Sequence, residues 1–398
     1  MKMLVTALLV IVLALGAGVP VCARGVEWDT LNHEVESLYA QGRYGRAIFV
    51  AKKALQVAKQ TVGPDHPDVA TSLNNLALLY KTQGRYEPAE PLYERSLAIR
   101  EKALGPSHPD VATSLNNLAD LYAAQGRYAL AEPLYKRSMA IWEKALGPHH
   151  SNVATSLNNL ALLYKTQGQY AQAEQLYKRS LSIKEKALGP DHPDVATSLN
   201  NLASLRVTQG RFASAEPLYK RSLAIREKAL GPSHPDVATS LDNLASLYDT
   251  QGRYELAEPF YRRSLVIRKK TLGPDHPDVA DSLSGLACLY SNQGKHAQAE
   301  PLYKRSIAIR KKALGPSHPD VATLLNDLAK LYDIQGRYEL AEPLYKRSLA
   351  IREKTLGRNH PKVADSLENL AALYRKTGRD TNADVLEKRS AAIRAIKR

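Results

Sequence analysis

Histidine recurs at His66, His108, His192, His234, His276, His318 and His360, followed in every case by proline and in all but the last by aspartate. An imidazole beside a carboxylate can serve general acid–base catalysis or hold a metal ion, so these residues are weighed first. Their spacing argues against both uses. Successive histidines lie at least one repeat apart, and no His-x-x-x-His or cysteine pair falls within a repeat, whereas a zinc site needs several ligands converging on one point. No glycine-rich phosphate loop, nucleophile–base pair or convergent carboxylate pair appears outside the repeating text. The expectation is therefore of no catalytic residue, no metal site, no cofactor and no enzyme activity. His-Pro-Asp reads instead as the start of a helix.

The elements that hold these residues follow from a period. The text opening Gly63-Pro64-Asp65-His66-Pro67-Asp68-Val69-Ala70 restarts at Gly105, Gly147, Gly189, Gly231, Gly273, Gly315 and Gly357, always 42 residues on. A constant period of this size marks a solenoid, whose units bury their apolar faces only against their neighbours. Residues 26–62 are a degenerate copy 1, residues 63–356 hold the seven full copies 2–8, and residues 357–398 form copy 9, a cap. Within copy 2, Leu73, Leu76, Ala77 and Tyr80 recur at i, i+3, i+4 and i+7, the face of a first helix, A. Asp65, or Ser107 in copy 3, is expected as its N-cap with proline in the first turn, and Gly84 is expected to stop it. A second helix, B, carries Ala89, Leu92, Tyr93, Ser96, Leu97 and Ile99 on or beside its buried face and ends at Leu104-Gly105-Pro106. Pro91 lies about one turn into helix B and should bend its start without breaking it.

Tyrosines fall in three slots per copy, such as Tyr80, Tyr86 and Tyr93, where they should fill the inter-helix core. Copy 1 keeps Ser37-Leu38-Tyr39-Ala40-Gln41-Gly42-Arg43-Tyr44 but lacks His-Pro-Asp and carries Trp28, as suits an end unit with one face in solvent. Copy 9 puts Asp380 and Glu387 in two tyrosine slots, the mark of a terminal cap.

Of 398 residues, Lys and Arg number 55 against 40 Asp and Glu, a formal charge of +15 that raises nucleic acid, anionic lipid and acidic proteins as partners. Lys2, the apolar run Leu4–Ala17 and Val21-Cys22-Ala23 read as a signal peptide, residues 1–23, cleaved after Ala23. The expected location is periplasmic or extracellular, the alternative being a membrane anchor at residues 4–21. Cleavage leaves Cys288 alone, which rules out an internal disulfide in the mature chain.

The spacing Leu73-x-x-Leu76-Ala77-x-x-Tyr80-x-x-x-Gly84-x-Tyr86-x-x-Ala89-x-x-x-Tyr93 resembles the tetratricopeptide repeat. The 42-residue length, with Leu-Asn-Asn-Leu-Ala, Ala-Glu-Pro-Leu-Tyr-Lys-Arg-Ser-Leu-Ala-Ile-Arg-Glu-Lys and Leu-Gly-Pro-x-His-Pro-Asp-Val-Ala, resembles the kinesin light chain type of that repeat, in an exported, bacterial-like version. The likeness covers residues 63–398 well and 26–62 loosely, and it implies an all-α fold, a right-handed superhelical α-solenoid of about nine helix pairs.

The resemblance also implies that the outward side of helix A lines a concave groove that binds extended peptides. Asn75, Asn117, Asn159, Asn201 and Asn243 then form one line in it, and Asn74, Asn116, Asn158 and Asn200 a second, flanked by Lys81 and Lys165. An amide both donates and accepts, so such lines can pair with a peptide backbone, or bond across to the neighbouring repeat. Choice of partner must come from slots that vary: Leu78 becomes Asp120, Leu162, Ser204, Ser246, Cys288, Lys330 and Ala372. The outward slots carry net +1 in copies 2–5 and net −4 in copies 6–9. Positive charge is instead expected on the convex side, at Lys136-Arg137, Lys178-Arg179, Lys220-Arg221, Arg262-Arg263, Arg100, Arg226 and Arg268, as a solvated surface. The expected function is a monomeric protein-interaction scaffold that takes a protein or peptide ligand and no nucleic acid. The alternative is an envelope-associated structural protein with a peripheral membrane or polysaccharide contact through the basic face.

Overall fold

The computed structural model describes residues 26–396, so the expected signal segment lies outside the described residues. Eighteen helices and no strand occur among them, in consecutive pairs. Copy 1 gives α1 (Val26–Ala40) and α2 (Tyr44–Val62), copy 2 α3 (Pro67–Thr82) and α4 (Tyr86–Leu104), and copy 3 α5 (Pro109–Ala124) and α6 (Tyr128–Leu146). Copies 4 to 6 give α7 (Ser151–Thr166) and α8 (Tyr170–Leu188), α9 (Pro193–Thr208) and α10 (Phe212–Leu230), and α11 (Pro235–Thr250) and α12 (Tyr254–Leu272). Copies 7 to 9 give α13 (Pro277–Asn292) and α14 (His296–Leu314), α15 (Pro319–Ile334) and α16 (Tyr338–Leu356), and α17 (Pro361–Lys376) and α18 (Asp380–Ala395). The fold is an all-α solenoid of nine helix pairs among the described residues. None of these helices is long and apolar enough to cross a membrane.

Two compact units divide the chain. The first runs to Ile225 without the turn segments Thr82–Tyr86 and Tyr122–Ala129; the second holds those segments and Arg226 onward. In both, Val, Ala and Leu of helix A are wholly buried, as Val153, Ala154 and Leu157 are in the first and Val279, Ala280 and Leu283 in the second.

The helix ends follow the sequence with one correction. Helix A stops in a Schellman turn: in copy 4 the Gln169 N–H donates to Tyr164 O at 2.8 Å and the Gly168 N–H to Lys165 O at 3.1 Å, with Gly168 at φ 78°. At the other end the cap is histidine rather than Ser or Asp. His192 Nδ1 accepts from the Asp194 N–H at 3.1 Å, and His66, His108, His150, His234, His276, His318 and His360 do the same in their copies. A ring nitrogen two residues upstream reaches the same orphan N–H that a shorter side chain would take. Asp65, freed from capping, pairs with Arg95 and with Lys102 at 3.0 Å. Helix α4 continues through Pro91 as one helix. Most pairs are pinned internally by a buried helix B serine, as where Ser138 Oγ donates to Ala112 O at 2.8 Å.

The ends of the stack are closed differently from the middle. Trp28 is buried, not set toward solvent, and its indole N–H donates to Ser72 Oγ of copy 2 at 2.8 Å. In copy 9, Arg375 is clasped by Asp380 and Glu387, which stand in two tyrosine slots, and by Asp384.

Candidate functional site

The helix A slots expected to face a ligand form one ladder. Asn117 Nδ2 donates to Asn74 Oδ1 at 2.8 Å, Asn159 to Asn116 at 3.1 Å and Asn201 to Asn158 at 2.8 Å. Asn75 extends it into copy 1, donating to Asn32 at 3.3 Å, and Asn369 donates to Asn326 at 3.0 Å in the second unit. Three rungs thus join the two predicted lines across copies 2 to 5. Most of these amides are half-buried, Asn243 among them, while Asn116 and Asn200 are buried. A rung uses one donor of one amide and one acceptor site of the next, from the two of each that an amide carries.

The flanking cations of the first unit differ in their surroundings. Lys81 Nζ lies 3.0 Å from Asp120, which also accepts from the Tyr135 hydroxyl. Lys165 instead donates to Ser204 Oγ, and burial pulls its ammonium down to about 8. Beneath this face the tyrosines of helix B are buried, and burial raises the phenols of Tyr135 and Tyr177 above their usual range.

In the second unit copies 6, 7 and 8 depart from the ladder, at Asp242, Ser284-Gly285 and Asp327. Asp242 stands in a rung slot, with one oxygen 2.8 Å from Arg268 Nη1 and also accepting from Ser282 at 3.2 Å. Its other oxygen has no partner. Burial outweighs the arginine and pushes its carboxyl up to about 6. The opposing slot is Gly285, where a Cβ would come within 2.4 Å of the Tyr261 ring, so the ring occupies the space of an amide. On the same face, Asn292 Nδ2 donates to Asp249 at 2.9 Å and lies 3.8 Å from Cys288 Sγ. Cys288 is exposed at the surface, but the protein crowding its thiol displaces water and, with the fields of Asp249 and Asp327, raises it to about 11. No cluster of His, Cys, Asp and Glu able to hold a metal occurs among the described residues.

The basic residues of helix B divide into two sets, and one contradicts the sequence-based expectation. Arg100, Arg226 and Arg268 are buried rather than solvated on a convex face. Arg100 Nη1 donates to Asp110 O at 3.2 Å and Ser114 Oγ at 2.9 Å, and Nη2 to Thr71 Oγ1 at 3.1 Å, bolting copy 2 to copy 3. Arg226, Arg268 and Arg352 repeat the bond to the following helix A. Arg310 differs because the receiving serine is Leu324, and it pairs with buried Asp281 instead. The slot had a signature: its two non-arginine occupants inside the array are Trp142 and Lys184, and tryptophan is a poor choice for a purely solvated position.

The Lys-Arg doublets do lie at the surface, but as ion pairs. Lys136 meets Glu132 at 2.6 Å and Arg137 meets Glu101 at 2.7 Å, and Lys178, Lys220, Arg221, Arg262 and Arg263 each have a glutamate of their own. Their charge is largely balanced in place.

A tetratricopeptide repeat profile matches residues 29–102, 83–144, 110–186, 167–228, 194–270, 250–312, 290–354 and 320–395. No curated protein matches the chain. Among solved structures, a candidate kinesin light chain of Podosopora anserina with nearly identical TPR-like repeats is 30% identical, covering 52% of this chain and 98% of that one at a TM-score of 0.43. BtubC (BKLC) from P. vanneervenii is 26% identical, covering 61% of this chain and 92% of its own at a TM-score of 0.46. A Rap protein complexed with Competence and Sporulation Factor is 12% identical but covers 93% of this chain and 98% of its own at a TM-score of 0.60, a likeness of fold. With the profile matching in overlapping stretches from residue 29 to residue 395, the chain belongs to the tetratricopeptide repeat family, and its copies are similar to those of kinesin light chain-like proteins.

Proposed function

We propose that this chain is a non-enzymatic protein-interaction scaffold that holds an extended peptide segment along the helix A face. The ladder carries the reading. It fixes a row of half-buried amides at one per copy, and each retains donor and acceptor capacity that a peptide backbone can use without regard to its side chains. A Rap protein of the same fold, solved with Competence and Sporulation Factor, supports the reading by analogy of fold. Selectivity falls to the variable slots, Asp120, Leu162 and Ser204 in the first unit and Ser246, Cys288 and Lys330 in the second. An envelope-binding role through helix B has less support, because the doublets that would contact an anionic surface are already ion-paired. Export through residues 1–23 and action as a monomer belong to the same proposal.

The test is selection of linear peptides from a random display library on the immobilised mature chain. Binders should emerge and should lose at least ten-fold in affinity, about 1.4 kcal/mol of contact energy, when Asp120 is replaced by asparagine, which keeps an acceptor for Tyr135, and Leu162 by alanine, while the melting curve holds. Absence of binders, or binders indifferent to both substitutions, would overturn the groove reading.

A further inference from the structure

The arginine bolt is missing on both sides of copy 4. On the copy 3 side Trp142 takes the slot; it is buried, and its indole N–H has no acceptor. On the copy 5 side Lys184 takes the slot, 5% exposed, and the serine that receives the bolt in other copies, Ser198, is left without a hydrogen-bond partner. A lysine has one short ammonium where arginine has a forked, planar donor set, so it cannot reach serine and helix-start carbonyl together. Burial holds the Lys184 ammonium below the usual lysine range against the opposing pull of Asp194.

Two further features coincide at this copy. Its start reads Gly147-Pro148-His149-His150-Ser151-Asn152, so α7 lacks both the first-turn proline and the aspartate that the other full copies have there or, in copy 9, retain in part. Beside that start a hollow of about 540 Å³ opens, lined by Leu146, Pro148, His149, His150 and Leu188. Copy 4 is still held by the apolar cluster in which Ile141 and Trp142 pack with Val153, Ala154 and Leu157, by the Ser138–Ser156 and Tyr164–Glu132 hydrogen bonds to copy 3, by Lys165 to Ser204 of copy 5, by the rungs Asn116–Asn159 and Asn158–Asn201, and by the surface pairs of Arg179 with Glu143, Arg221 with Glu185 and Arg211 with Glu174.

We propose that copy 4, residues 147–188, is a joint built into the first unit, opening locally more readily than copies 2 and 3 because neither of its interfaces carries the buried arginine bolt. Opening would let α7 change its distance from α5 and α9 while the amide rungs act as hinges. The device is independent of what occupies the helix A face.

Peptide-resolved hydrogen–deuterium exchange on the full chain tests it. In the native chain α7 and α8 should exchange about ten-fold faster than α3 to α6, a difference in local opening of the order seen between cooperative units. Lys184→Arg should slow exchange in α7 to α9 by about five-fold, the equivalent of one net hydrogen bond. Arg100→Lys should create the same fault between copies 2 and 3 and speed exchange in α4 and α5 to a similar extent. Equal protection of copy 4 and copies 2 and 3 in the native chain overturns the proposal. So does a Lys184→Arg chain with native circular dichroism and unchanged exchange.

Discussion

Asp242 is a carboxylate in a slot that copies 2 to 5 give to asparagine, and the exchange makes the stack sensitive to acid. In the folded chain its carboxyl titrates at about 6, above the ordinary value near 4 that it recovers on unfolding. Between those values the folded state holds a proton that the unfolded state has released, so stability falls as pH rises from about 4 to 6. The deficit is complete above that window and amounts to roughly 2–3 kcal/mol. Asp242→Asn should abolish this slope and leave stability at pH 7 at or above that of the parent chain, measured by urea unfolding across the window. A slope that persists in the variant would assign the titration elsewhere, with Asp281, also raised by burial, as the next group to replace.

At the scale of the helix, glycine sets where each pair turns. Gly168 at φ 78° closes the Schellman turn of α7, and an added side chain there meets open space, so the cost of Gly168→Ala is conformational alone. It should be about 1 kcal/mol, read as a lower melting temperature with unchanged helix content. Helices, turns and the core face were legible in the sequence because glycine, proline and apolar spacing act within a single copy. The ladder was half legible: one copy shows Asn74 and Asn75 side by side, but their bonds run to Asn117 of the next copy and Asn32 of the one before. Arg100 was misplaced because charge alone predicts solvent. Only the three-dimensional meeting of Thr71, Ser114 and Asp110 O supplies acceptors enough to bury a guanidinium. His66 hid its capping role for a related reason, since its acceptor nitrogen is less familiar in that position than the oxygen of Asp65.

Across the whole molecule, stability should behave as a sum over copies and their interfaces. Excising residues 105–146 joins Leu104 to Gly147 in register, sets Arg100 against Ser156 and pairs Asn74 with Asn159. That shortened chain should keep its helicity per residue by circular dichroism and lose some melting temperature; collapse of helicity would refute a nearest-neighbour stack. The same interchangeability has a cost during folding. An amide rung fits any of copies 2 to 5 to any other, so a helix pair docked on the wrong partner among them leaves no rung amide unsatisfied to expel it, and chain connectivity must keep those copies in order. At the joint of copies 7 and 8, Arg310 is satisfied within its own copy by Asp281 and meets Leu324 in place of the receiving serine. Such irregular joints are addresses in an otherwise anonymous sequence, and a chain whose copies were made identical would be the one most prone to fold out of order.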